Sequence, residues 1–285
     1  MSPDPTVHPE TPQADPRDLD LALRLADLAD AITQPRFRAA DLRVTSKPDR
    51  TPVTDADTAA EDAIRAAIGH ERPHDAILGE ERGGSGSSRR SWVIDPIDGT
   101  KNFSRGLPAW ATLIALVTDG VPTVGVVSAP ALHRRWWGSS GAGAWARDLP
   151  SGTPRRIAVS GVTDVADAYV STTNTDTFRS EPGPVHRDGW IALTEACWES
   201  RAFGDFWQHV LVAEGVLDVA VEPAANPWDL AAPTVVVTEA GGRLTDLTGH
   251  PTFSGGHGLT SNGLLHTRVL EVLGGWAGRR RRWPR

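Results

Sequence analysis

Residues 111–128 constrain the fold of this chain more than any other stretch. Two apolar runs, Ala111 to Val117 and Val121 to Ser128, stand on either side of Asp119-Gly120. Both have strand composition, and an Asp-Gly pair supplies the positive φ angles that a tight hairpin needs. A further strand-like pair, His133 to Trp137 and Ala144 to Arg147, brackets Gly141 and Gly143. Upstream, Trp92-Val93-Ile94 reads as a buried strand. Ala76-Ile77-Leu78 reads as a short strand that ends at Gly79-Glu80-Glu81. A largely antiparallel sheet is therefore expected in the first half.

Helices flank these strands. Leu21, Leu25, Leu28 and Ile32 fall on one helical face, with structure expected from Asp18 and a stop at Pro35. A polar stretch that includes Lys47 follows. Thr54-Asp55-Ala56-Asp57 then has the form of a capping box and opens a helix through Ile68, with Ala60, Ile64 and Ala67 inward. Gly83 to Ser88, rich in glycine and serine, reads as a mobile loop. After Pro154, short strands (Tyr169-Val170 and Val216 to Val221) alternate with helical runs. These lie near Trp190 to Trp198, Asp205 to Glu214, Leu230 to Ala240 and Leu264 to Leu273. The layout predicts an α+β half over 18–153 and an α/β half over 154–276. Residues 1–17 read as a disordered Pro-rich extension and 277–285 as a basic tail.

Composition narrows the function. At 285 residues and 39% hydrophobic content, the chain can bury one large core or two small ones in contact. A net charge of −7 leaves no basic surplus for nucleic acid. The single cysteine, Cys197, excludes an internal disulfide and fits a reducing compartment. The N-terminal residues lack the basic start and apolar run of a signal peptide, and no apolar stretch reaches the ~18 residues of a membrane span. A cytoplasmic chain with no membrane partner is expected. The many tryptophans read as packing groups rather than as a stacking surface for sugars or bases.

The chemistry concentrates at Asp95-Pro96-Ile97-Asp98-Gly99-Thr100. An apolar strand delivers Asp95 at its end, and Asp98 follows three residues on, so both carboxylates can face one point. Gly99 permits a tight turn and close approach of a ligand. Thr100 opens a helical turn whose free N–H groups suit a phosphate. Carboxylates for a hard cation beside amides for phosphate describe metal-assisted phosphoryl chemistry. A lone D-x-x-D also serves as an Asx-turn or helix cap. Glu80 and Glu81 at a strand end, and Asp57 and Asp229 at helix starts, add acids of the right kind. Asp57 and Asp229 serve equally as N-terminal helix charges, and spacing alone does not bring these acids together.

Three motifs supply the convergence. Trp92 to Phe103 resembles the signature of the inositol-monophosphatase superfamily. Gly79-Glu80-Glu81 is similar to its upstream metal motif. Trp228-Asp229-Leu230-Ala231-Ala232 with Thr238-Glu239-Ala240-Gly241-Gly242 is similar to its C-terminal one. The resemblance spans residues 18 to 275. It implies an α+β fold, a layered α/β/α/β/α sandwich with the site between the halves, and a homodimer. It also implies two or three Mg²⁺ ions. Glu80, Asp95 and the Ile97 carbonyl would hold the first, and Asp95, Asp98 and Asp229 the second. A third would use Glu80. Thr100 and Asp57 would orient the attacking water, while Gly99 and Thr100 amides would hold phosphate oxygens. The same likeness implies direct transfer to water, leaving Cys197 as a helix thiol without catalytic work.

The substrate is a phosphomonoester by the same likeness. Pro108-Ala109-Trp110-Ala111-Thr112-Leu113-Ile114 resembles the histidinol-phosphatase branch of the family, as does Arg201-Ala202-Phe203-Gly204-Asp205-Phe206-Trp207. An acid beside an aromatic surface suits the cationic head of L-histidinol phosphate better than a polyol ring. Glu222 and Asp205 are the candidates for that contact. For Asp205 a helix cap is the preferred reading. Arg201 is a candidate near the substrate, with a structural ion pair as its other reading. Inositol monophosphate, a sugar bisphosphate or a phosphoadenosine nucleotide are the alternative substrates. A polyanion-binding role through Arg279 to Arg282 and Trp283 is the alternative of another class, and a solvated tail is the preferred reading there. A non-catalytic phosphate-binding protein would not need the full set of metal acids.

Overall fold

The computed structural model describes residues 12–175, 178 and 187–274. The Arg-rich tail and most of the Pro-rich extension lie outside the described residues. Helix α1 (Pro16–Arg36) starts two residues before the expected point, because Asp15 caps it and Pro16 occupies its first turn. Pro35 falls inside its last turn. The buried stripe pairs Leu21 and Leu25 with Ala22, Ala26, Ala29 and Thr33, and the short side chains let the helix sit close to its neighbours. Leu28 and Ile32 are only half-buried at the margin of that stripe. Strands β1 (Val44–Ser46) and β2 (Pro52–Thr54) form a small antiparallel ribbon. Helix α2 (Asp55–Glu71) opens with the expected capping box between Thr54 and Asp57.

Eight strands then form one sheet: β3 (Ala76–Gly79), β4 (Gly83–Ser85), β5 (Arg90–Asp98), β6 (Ala111–Thr118), β7 (Val121–Ala129), β8 (Arg134–Ser139), β9 (Gly143–Asp148) and β10 (Arg155–Ile157). Its order is β10-β9-β8-β7-β6-β5-β3-β4, antiparallel except for β3 against β5. The hairpin of β6 and β7 turns on Asp119 (φ 53°) and Gly120 (φ 81°), both left-handed, as an Asp-Gly turn requires. The mobile-loop reading of Gly83–Ser88 is corrected in its first half. Gly83 to Ser85 pair with Gly79 to Ile77 as an edge strand, held by backbone bonds that need no side-chain signal.

The second half carries β11 (Tyr169–Thr172), α4 (Arg187–Ala196), β12 (Glu199–Arg201), α5 (Asp205–Ala213), β13 (Val219–Glu222), α6 (Pro227–Glu239), β14 (Arg243–Thr245), β15 (Gly258–Ser261) and α7 (His266–Gly274). Its five strands run β12-β11-β13-β15-β14, the first three parallel and the last two added antiparallel.

Strand alternation explains the layers. Trp92, Ile94, Ile114, Leu116, Val124 and Val126 point to α1 and α2. Val93, Leu113, Ala115, Val117 and Val127 point the other way, to Val210 of α5 and Ala231, Ala232 and Val236 of α6. Helices α4 and α7 cover the outer face of the smaller sheet with Trp190, Leu193, Val269 and Leu273. The result is the expected α/β/α/β/α stack. Helix α6 lies in its middle layer and is apolar nearly all round, as a helix between two sheets must be. It approaches β7 so closely that a Cβ on Gly125 would lie 2.5 Å from the Ala232 carbonyl oxygen. Gly125→Ala is therefore expected to destabilise the chain by about 1–3 kcal/mol through overpacking, read as a lower urea midpoint. An unchanged midpoint would show that this contact is looser than the backbone geometry indicates.

Candidate active site

The inner end of β5 organises the site. The pairing of β5 with β6 is regular to Asp95 and resumes only at Asp98, with an irregularity between them. Pro96 has no N–H to give the ladder, and its carbonyl instead accepts from the Thr112 hydroxyl at 2.8 Å. The Ile97 N–H turns back to Asp95 Oδ1 at 3.0 Å. Gly99 is left-handed (φ 82°) and precedes α3 (Thr100–Ser104). The Thr100 hydroxyl lies 2.8 Å from the Ile97 carbonyl and 3.1 Å from Asp57 Oδ1, a donor to either.

Two other elements close on this turn. At the start of α6, Asp229 accepts the Asn226 N–H at 2.7 Å. Asp95, Asp98 and Asp229 each bring one carboxylate oxygen within 4.8 Å of the others. From the end of β3, Glu80 reaches the same cavity, and Lys47 Nζ sits 2.7 Å from both Glu80 Oε1 and Glu81 Oε1. The cavity holds about 510 Å³, and Gly99, Thr100, Lys101 and Asn102 also line it.

The wall opposite comes from the smaller sheet. Asp205 adopts a left-handed conformation (φ 48°) at the start of α5, and its carboxylate accepts from Asn102 Nδ2 at 3.0 Å. The next amide, of Phe206, donates to Asp98 Oδ2 at 2.5 Å, so the first turn of α5 holds an acid of β5 directly. Glu222, at the end of β13, accepts from the Thr173 hydroxyl and from Gln208 Nε2, the latter at 2.8 Å. His209 lies on the cavity wall with Nδ1 2.8 Å from Thr260 Oγ1, and burial pushes its pKa down to about 4, so the ring is neutral.

Of the residues singled out by sequence, Glu80, Asp95, Ile97, Asp98, Gly99, Thr100, Asp205, Glu222 and Asp229 line the cavity together. Asp57 stands behind Thr100. Arg201 does not join them. It is on edge strand β12, 57% exposed, with its guanidinium on Glu199 at 2.5 Å. The expected aromatic surface after Asp205 is also absent from the cavity. Phe206 is buried against Trp136, and Trp207 packs on Phe203. Cys197 is half-buried beside the Glu199 carbonyl, and burial raises its pKa. Sequence reasoning assigned no role to Lys47, Asn102, Thr173, Gln208 and His209. Gln208 and His209 carried a usable signal, a polar pair inside the apolar run of α5.

Burial sets the electrostatics. It pushes Asp95 and Asp98 well above the usual carboxylate range; the charges of Glu80 and Asp98 add to it for Asp95, and those of Asp205 and Asp229 for Asp98. Burial takes Asp229 up to about 7 against the opposing pull of the Asn226 amide. Asp57 rises to about 6 for the same cause, moderated by its bonds from Thr54 and Thr100. Glu222 is pushed well up by burial. This is a surplus of negative charge with hard oxygen donors and no soft ligand among the clustered groups. Such a donor set fits a hard divalent cation.

Residues 17–274 match the model of the inositol monophosphatase family. The chain belongs to that metal-dependent family and is a phosphoric monoester hydrolase. It is 53% identical over 260 residues to a histidinol-phosphatase of Mycobacterium tuberculosis, covering 90% of this chain and 97% of the relative. A histidinol-phosphatase of Streptomyces coelicolor is 49% identical, with 90% and 96% covered. A solved inositol monophosphatase from Zymomonas mobilis superposes with a TM-score of 0.78 at 33% identity, over 90% of this chain and 97% of that one. The motif resemblance and its branch are thereby borne out.

Acids with raised folded-state pKa values bind protons more tightly folded than unfolded. Their contribution to stability is greatest below the ordinary carboxylate pKa and falls as pH rises through about 6 for Asp57 and about 7 for Asp229. A cation that replaces those protons should reverse the loss. The rise in Tm on adding Mg²⁺ is expected to grow from pH 5 to pH 8, measured by thermal unfolding with chelator and with Mg²⁺. A rise that shrinks with pH would contradict this assignment of the charge.

Proposed function

We propose that this chain is a magnesium-dependent phosphomonoesterase that hydrolyses L-histidinol phosphate to L-histidinol and phosphate. The observation that carries the substrate choice is the pair Asp205 and Glu222. Both acids line the cavity beside the phosphate-handling turn, and Glu222 makes no ion pair among the described residues. A substrate with an ammonium group and an imidazole would neutralise them, whereas a polyol would leave buried charge unmatched. The high identity to relatives named histidinol-phosphatase supports the same choice. Arg201 stays outside this proposal because Glu199 already holds it.

Glu80, Asp95, Asp98, Asp229 and the Ile97 carbonyl would hold two or three Mg²⁺ ions. Bound cations supply charge neutralisation on the phosphate and the departing oxygen, and they make water more acidic. The chain's own residues do the rest. The amides of Gly99 and Thr100 hold phosphate oxygens. The Thr100 hydroxyl orients the attacking water and passes a proton to Asp57 Oδ1, 3.1 Å away. With its pKa raised to about 6, Asp57 can both accept and release that proton near neutrality. The water oxygen bonds to phosphorus, the ester oxygen leaves with the bonding pair, and it is protonated to the alcohol. Homodimeric assembly is carried over from the family resemblance, and a cytoplasmic location from the composition with its single cysteine.

Asp95→Asn is expected to lower turnover at least ~10²-fold, about 3 kcal/mol of transition-state stabilisation, with Asp229→Asn similar. Near-normal rates at saturating Mg²⁺ would sink the metal assignment. A turnover panel tests the substrate. L-histidinol phosphate should exceed inositol 1-phosphate in kcat/KM, and Glu222→Gln should raise KM about tenfold for the cationic ester only. Inositol 1-phosphate turned over ~10-fold faster would assign the chain to the polyol branch instead.

A further inference from the structure

The geometry points to Glu61 as a positioning residue that sets where Glu80 can meet a cation; the inference rests on the reading of Glu80 as a metal ligand. Glu61 lies one helical turn after Asp57 in α2 and is 0% exposed. It does not line the cavity. Its carboxylate is engaged on every side. Oε2 accepts the Glu81 N–H at 2.7 Å, while Oε1 accepts the Arg82 N–H at 3.0 Å and Arg65 Nε at 2.7 Å. Those two amides belong to the residues that follow Glu80. The residue before it, Gly79, is pressed against the same group, so that a Cβ there would lie 2.2 Å from Glu61 Oε1.

Arg65 extends the clamp. Its guanidinium bonds the Gly83 carbonyl and reaches Ser85 Oγ at 3.2 Å, tying β4 to α2 as well. The Glu80 amide is held separately by the Ile94 carbonyl at 3.2 Å. The chain after Glu80 is thus hydrogen-bonded to one buried carboxylate, the residue before it is packed against that same group, and the Glu80 side chain is left in the cavity wall. Arg65 also balances the Glu61 charge, so Glu61 acts on the cavity through placement of Glu80 rather than through its own field. Groups that orient a metal ligand from outside the coordination shell are worth about 10–100-fold in affinity. The same helix therefore presents Asp57 to Thr100 and, four residues on, anchors the arm that carries Glu80.

The test is Mn²⁺ binding followed by electron paramagnetic resonance, alongside steady-state kinetics on full-chain variants. Glu61→Gln keeps the shape but turns an N–H toward donors. It should weaken Mn²⁺ binding about 10–100-fold while KM for the phosphate ester at saturating metal stays within about twofold. Gly79→Ala displaces the carboxylate without changing charge and should weaken binding in the same direction. Ile68→Ala weakens the core contact of the same helix and should leave Mn²⁺ affinity unchanged. Should Glu61→Gln not fold, Gly79→Ala decides. Unchanged affinity in these two variants, with Glu80→Gln weakened, overturns the role of Glu61 alone. Unchanged affinity in Glu80→Gln overturns the ligand reading beneath it. An equal loss in Ile68→Ala reduces the effect to stability and overturns the proposal too.

Discussion

Asp95, Asp98 and Asp229 bring oxygens within 4.8 Å of one another at the inner end of β5, where burial removes much of the water that would screen them. Folding has to hold these groups together against their repulsion and their loss of hydration. It does so with fixed donors: the Ile97 amide on Asp95, the Phe206 amide on Asp98 and the Asn226 amide on Asp229. Lys47 meets Glu80 and Glu81. The donors lower the cost without removing it, since the acids remain shifted upward. A cation that enters such a site and binds only the folded chain stabilises it.

The layered fold follows from that requirement. β5 lies in the interior of the larger sheet, paired on both sides by β3 and β6. α6 sits between the two sheets and offers its N-terminus, with Asp229, to that end. α5, on the same central layer, offers the Phe206 amide to Asp98 and the Asp205 side chain to the cavity. The smaller sheet then closes the cavity with Glu222, whose direction is fixed by Thr173 and Gln208. The end of β5, the starts of α5 and α6 and the end of β13 thus meet at one cavity.

Much of this was legible in the sequence wherever the signal was local. The Asp119-Gly120 hairpin, the Thr54–Asp57 capping box and the strand running into Asp95 all depend on neighbours within a few residues. The family motifs then linked Glu80, Asp95 and Asp229, which spacing could not. The misses are non-local. Gly83 to Ser85 became a strand because β3 and Arg65 hold their backbone, and a glycine-rich segment carries no trace of that. Arg201 looked like a substrate contact, but its edge strand offers it Glu199 instead. Phe206 and Trp207 follow Asp205 in sequence, yet the helix turns them into packing away from the cavity. Glu61 was invisible for a related reason: its partners are amides of a turn twenty residues on.

Anomalous diffraction from crystals soaked in Mn²⁺ tests the central claim most directly. The expected result is a manganese peak bounded by the carboxylates of Asp95, Asp98 and Asp229, with further density toward Glu80. An ordered cavity with those side chains in place and no peak between them would contradict the reading of the acidic cluster as a catalytic metal centre.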